Sequence, residues 1–278
     1  MADVELPSGE TDLSAISLSA DDVLLVLEGT QTVDTGVTAH NTTDLQRVYI
    51  GPNFRGSFGT AASPVDLKVS NTTTDSDPRI EIEGGAYVNL CSSGGIDKLV
   101  SDMPPGATLA LGTGASAIAV LQALGGLLNI TAGALVTNLY AWGAEQVILK
   151  QHATTALTIF EAAAGLILCE RSAATVKCHH DAIFRLMESA AVSTLADIRG
   201  GVFNHRSRGT VAQADLYAGT LTPEGAPKDP VITTANIYGS SATTRYIQSI
   251  GNLAFSVGTE NISQQSAVYN PGKGGKGY

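Results

Sequence analysis

Apolar residues recur along this chain as pairs two positions apart, and the pairs recur at a step of about 19 residues: Val48/Ile50, Leu67/Val69, Val88/Leu90, Leu109/Leu111, Leu128/Ile130, Val147/Leu149, Leu166/Leu168 and Phe184/Leu186. Val202 and Leu221 continue the step, while Asn204 and Pro223 take the second positions. A second ladder lies about halfway between: Phe58, Ile80, Leu99, Ile118, Val136, Leu157, Val176, Leu195 and Val211. Apolar side chains two apart share one face of an extended strand. Short strands that return at a fixed interval, each with one bare face, must stack on their neighbours to bury it. The pattern predicts an all-β chain, a single-stranded parallel β-helix (solenoid) with about 19 residues per rung and roughly nine rungs between 48 and 222. Inward positions include Leu109, Leu111, Ile130, Leu149, Leu168, Val176 and Leu195.

Turn residues separate the predicted strands, as at Pro52-Asn53, Ser63-Pro64, Gly84-Gly85 and Gly94-Gly95, and Pro78 and Pro104-Pro105 also fall between strands. The segment beginning at Ile80 also matches the one beginning at Leu128 at a shift of 48, a register that would turn its side chains to the other face. The 19-residue register satisfies more positions and is the one adopted. Outside the repeat, residues 1–47 read as an extended N-terminal arm leading into first strands at Val23 to Leu27, 223–269 as a C-terminal β segment, and 270–278 as a flexible Gly/Lys tail.

Charge changes the picture in one place. Between Met103 and Gly143 there is no Asp, Glu, Lys, Arg or His. Outward positions of a strand solenoid ordinarily carry charge unless they are covered. Two readings stand: a neutral Thr/Ser-coated surface, or a subunit interface, for which Leu135, Leu139, Tyr140 and Trp142 are the candidate contacts. Lys273, Lys276 and Tyr278 of the tail are the further candidate contacts, pinned to a neighbour in an assembly.

The formal charge of −10 argues against nucleic acid as a partner, because phosphate binding needs clustered Lys and Arg. Three cysteines, Cys91, Cys169 and Cys178, form no disulfide framework and read as reduced thiols. The acidic start, Met-Ala-Asp-Val-Glu, is unlike a signal peptide, and no apolar run has membrane-span length, so neither export nor a membrane is expected. The Asn-x-Ser/Thr sequons at Asn41, Asn71, Asn129 and Asn261 then read as chance in a Thr-rich chain.

Candidate chemistry is thin. Gly112-Thr-Gly114-Ala-Ser-Ala117 after an apolar strand imitates a dinucleotide fingerprint, but no acidic residue lies near position 132 to hold a ribose. Gly274-Gly-Lys276-Gly lacks the spacing and the Ser/Thr of a phosphate loop. Cys169, Cys178, His179 and His180 are metal-ligand types, yet alternation with Leu168 and Cys178 inward sends Cys169 and His179 outward, so they do not converge. Lys177, His179 and Asp181 would form an outer row of acids and bases as in solenoid polysaccharide enzymes. A 19-residue step places Thr158, Phe160 and Ala162 before them and Ala196, Ile198 and Gly200 after, without the second carboxylate that glycoside hydrolysis uses. No catalytic residue, cofactor or metal is expected.

The acidic leaderless start, the Thr/Ala/Gly-rich strand repeat and the Gly-Lys tail together resemble virion structural proteins of tailed bacteriophages, in particular the β-solenoid modules of head-decoration (cement) and tail proteins. The resemblance implies a homo-oligomer, trimers being typical, that binds the major capsid protein or another virion protein, and a location in the virion after synthesis in the host cytoplasm. The other class is a carbohydrate-binding or carbohydrate-cleaving β-helix of tailspike type. A single tryptophan, Trp142, inside the uncharged zone favours the structural class.

Overall fold

The structure is a computed structural model and describes residues 2–34, 43–69, 79–91, 95–112, 117–152, 156–222, 231–238, 242–244 and 249–255. Among them there is no α-helix, and the only helical element is one 3-10 turn, Leu13–Ala15. The strands pair in parallel, each with its counterpart one coil away, which is the β-solenoid that the repeat predicts. Residues 1–147 and 148–278 form two compact units.

In the first unit one buried column runs Leu24, Val48, Ile80, Leu99, Leu121, Leu139, each in register with the next. The other runs Val33, Phe58, Val88, Leu109, Leu128. The early ladder therefore differs from the sequence assignment. Val48 and Ile50 stack on Ile80 and Ile82, while Phe58 stacks on Val88. The two ladders cross because the early coils are longer than 19 residues: Leu24 to Val48 and Val48 to Ile80 span 24 and 32 positions. A parallel ladder fixes which residues pair but leaves the connecting turns free to lengthen.

The first residues are folded, in contrast to the expected extended arm. Asp3–Glu5 pairs in parallel with Val23–Leu25, and Leu6, Leu13 and Leu18 are buried. A terminal coil exposes an apolar face that has to be covered, and these leucines are available to cover it. Asp22 ties the segment down by accepting from the Ala2 and Ser19 amides at 2.7 and 2.9 Å.

In the second unit one column runs Phe160, Val176, Ala196, Ala214, Ala235, and the other Ile167, Phe184, Phe203, Leu221. Phe184 packs edge-on to Phe160 at 5.0 Å and face-to-face with Phe203 at 5.3 Å between ring centroids. The ladder continues past 222, where Thr210–Thr222 pairs with Val231–Ile237 and Ala242–Thr244, and Val231–Ile237 with Ser249–Phe255.

Leu109, Leu111, Ile130, Leu149 and Val176 face inward as expected. Leu168 and Leu195 do not. Ile167 and Cys169 are the buried pair on their strand, and Ala196 and Ile198 on theirs, while Leu168 and Leu195 are half-buried on the outer side. The coil steps here are 17 to 20 residues, and with a side-chain period of two an odd error in the step moves a residue to the opposite face. The sharp corner at Gly200-Gly201 needs glycine: Gly201 has φ +64°, and a Cβ there would stand 2.3 Å from the Ala182 carbonyl oxygen.

Candidate functional site

In the first unit the outer side of strands Ile118–Gly125 and Val136–Ala141 presents Val120 beside Asn138 and Gln122 beside Tyr140 in register. Leu124 and Trp142 at the end of these strands are exposed at 37% and 42%, unusually open for such apolar side chains. Tyr140 and Trp142 contact each other with ring centroids 5.4 Å apart. This surface lies within the zone that has no Asp, Glu, Lys, Arg or His from Met103 to Gly143. Of the residues expected to make contacts, Tyr140 and Leu135 are half-buried and Trp142 is exposed. Leu139 is corrected: it lies in the inner column against Leu121 with no exposure, and no partner can reach it. Lys273, Lys276 and Tyr278 lie outside the described residues.

Charge is placed differently on the earlier coils of this unit. Arg47 pairs with Glu81, Lys68 with Asp44 at 2.8 Å, and the Tyr49 hydroxyl donates to Glu83 at 2.6 Å. Surface pairs of this kind contribute little stability but keep a face hydrated.

The outer face of the second unit carries a charged column that the 19-residue step does not reveal. Glu161, Lys177, Asp197, Asp215 and Asn236 are in register across successive coils. The expected absence of a carboxylate beside Lys177 is therefore corrected: steps of 16 and 20 residues bring Glu161 and Asp197 to either side of it. Lys177 Nζ lies 3.1 Å from Glu161, whose other oxygen is 3.7 Å from His179 Nε2. Arg199 Nε donates to both oxygens of Asp197 at 3.1 and 3.0 Å, and Asp215 accepts from Gln213 and Asn236 at 2.9 and 2.8 Å. Each carboxylate in the column thus has donors from the chain itself. Next to it the Arg199 guanidinium lies over the Tyr217 ring at 5.2 Å, and Tyr217 stacks on Tyr238 at 4.7 Å with 13° between planes. Tyr217 and Tyr238 nonetheless keep 40% and 36% of their surface exposed.

The thiols are not set up for chemistry. Burial pushes Cys169 and Cys178 up to about 12 and, with the neighbouring Asp66 adding to it, Cys91 to about 11. Cys169 faces inward, contrary to the expected alternation, and its thiol is 3.1 Å from the Arg171 carbonyl; that of Cys178 is 3.8 Å from the Ala182 carbonyl. Among the described residues no group of His, Cys, Asp and Glu is arranged to hold a metal ion. The segment that imitates a dinucleotide fingerprint leads into a strand, Ile118–Gly125, where that motif requires a helix.

Sequence reasoning missed Asp197 and Asp215, yet a signal was present. Ala-Asp-Ile at 196–198, Ala-Asp-Leu at 214–216 and Ala-Asn-Ile at 235–237 repeat one small-polar-apolar triplet, and these triplets are the ones that stack.

No protein-family model, curated protein or solved structure matches the chain.

Proposed function

We propose that this chain is a non-catalytic structural and assembly protein of a virion, a solenoid that decorates or cements a phage capsid through protein–protein contacts with the major capsid protein or a neighbouring virion protein. The observation that carries the reading is the outer side of strands Ile118–Gly125 and Val136–Ala141, where Leu124 and Trp142 stand exposed beside Tyr140 within a stretch that has no Asp, Glu, Lys, Arg or His. In a chain of net charge −10 such a face is where another protein can dock without desolvating charge. The second unit supports the non-catalytic part of the reading. The carboxylates of its charged column, Glu161, Asp197 and Asp215, are committed to Lys177, Arg199, Gln213 and Asn236.

The test is a double substitution, Leu124→Asp with Trp142→Asp, on side chains that do not enter the core. The variant is expected to fold with an unchanged circular-dichroism spectrum and to lose occupancy on the particle that the intact chain decorates. Full occupancy of the doubly charged variant would refute the assignment of this face.

A further inference from the structure

In the first unit the strand Tyr87–Cys91 is matched on its preceding coil by two short strands. Ser57–Phe58 pairs with Tyr87 and Val88, Val65–Asp66 pairs with Leu90 and Cys91, and residues 59–64 leave the ladder between them. The interruption falls opposite Asn89. Alternation with the buried Val88 and Leu90 turns Asn89 to the outer side, beneath the looped-out segment, where it is only 5% exposed. Its Nδ2 donates to the Thr60 carbonyl at 2.7 Å, while its Oδ1 is buried and has no hydrogen-bond partner among the described residues. The loop is braced by its own turn: the Thr60 amide donates to the Ser63 carbonyl at 2.8 Å and the Ser63 amide to Thr60 Oγ1 at 3.0 Å.

On the following coils Ala110 and Asn129 continue the line from Asn89 in register. Between this floor and the loop lies a cavity of about 350 Å³, whose lining includes Ala61, Pro64, Tyr87, Asn89, Gly112 and Asn129. None of the described residues that line it is charged. Gly112 borders it: a Cβ there would point toward Asn89 and stand 3.6 Å from its Oδ1, an ordinary contact distance.

We propose that this cavity binds a neutral sugar residue of the N-acetylhexosamine class. A desolvated acceptor without a donor calls for an N–H or O–H from a ligand. An acetamido N–H meets that need at Asn89 Oδ1, its methyl group fits the small apolar wall of Ala61 and Pro64, and the exposed Asn129 amide can pair with a ring hydroxyl. The uncharged lining disfavours phosphorylated, sulfated or acidic sugars, which would lose hydration without gaining a counter-charge. The volume is at the small end for a ligand site and suits a single ring. This inference is independent of the assembly reading, which rests on a different face.

The experiment titrates the intact chain with N-acetylglucosamine, N-acetylgalactosamine, glucose and the capped dipeptide N-acetylalanine methylamide, followed by saturation-transfer and amide-shift NMR. The expected result is saturable binding of an N-acetylhexosamine at least about fivefold tighter than glucose, the size of one added hydrogen bond. Gly112→Val, which adds a branched side chain beside Asn89 Oδ1 from a backbone position outside the left-handed region, is expected to weaken it at least about tenfold. Asn129→Ala on the exposed rim is expected to weaken it about threefold to tenfold. Absence of sugar binding at about 20 mM, undiminished binding by Gly112→Val, or binding of the capped dipeptide in preference to the sugars would overturn the proposal.

Discussion

His205 gives the second unit an acid-sensitive point whose size can be worked out. It ends the strand Val192–His205, is 1% exposed, and has Nε2 3.3 Å from the Val231 carbonyl oxygen while Nδ1 is buried without a partner among the described residues. Burial lowers its pKa from 6.5 to about 4, against a smaller opposing effect of the Val231 carbonyl. The folded chain therefore holds this proton less tightly than the unfolded chain. The stabilisation is fully present above pH 6.5 and is lost as pH falls through about 4. Linkage across that interval gives a loss of about 1 kcal/mol by pH 5.5 and about 3 kcal/mol by pH 4. The assay is urea denaturation of the intact chain and of His205→Gln at pH 8, 5.5 and 4, followed by circular dichroism. His205→Gln is expected to be the less stable protein at pH 8, with the gap narrowing by those amounts on acidification. A gap that stays constant within about 0.5 kcal/mol from pH 8 to pH 4 would refute the reasoning, because the imidazole would then titrate alike in both states.

Three further outcomes follow from the same packing. Gly201→Ala combines a positive φ with a Cβ 2.3 Å from the Ala182 carbonyl oxygen, and a loss of about 2–4 kcal/mol is expected in urea melts. Leu139→Asp places a charge in the inner column and is expected to abolish the cooperative thermal transition of the first unit, whereas Trp142→Asp is expected to change stability by less than about 0.5 kcal/mol. With thiols raised to about 11 or 12, none of Cys91, Cys169 and Cys178 is expected to react quickly with a disulfide reagent at pH 8 in the folded chain, and all of them in guanidinium. Rapid labelling of the native protein would count against the inward placement of Cys169.

The architecture was legible because stacking strands must repeat and because burial writes a period of two within each strand. Leu109, Leu111, Leu128 and Ile130 are in register at 19 residues, and there the apolar pairs alone assign the coil. Elsewhere a fixed step was too rigid. The ladder constrains paired residues, not the turns between them, so Val48 to Ile80 spans 32 positions and Glu161 to Lys177 only 16. Each odd deviation turns side chains over, which is how Leu168, Leu195 and Cys169 were assigned to the wrong face. The same error hid the charged column, since Lys177 was compared with Thr158 and Ala196 when its neighbours are Glu161 and Asp197. The uncharged zone was legible as composition, but an absence of charge does not say which apolar residues face out, and Leu139 looked as available as Trp142 until the register was known. Asn89 was beyond reach, because its enclosure depends on a loop that leaves the ladder one coil earlier.

The most direct test of the assembly reading is the mass of the particle in which the chain occurs naturally. Nuclease-treated lysate of its source would be sedimented through a density gradient and the chain quantified in each fraction. The 28.6 kDa chain is expected to travel with particles in the megadalton range, at a fixed ratio to one other abundant protein, and to leave them when Leu124 and Trp142 are both changed to Asp. A chain found only at the top of the gradient, sedimenting as a free monomer, would contradict it.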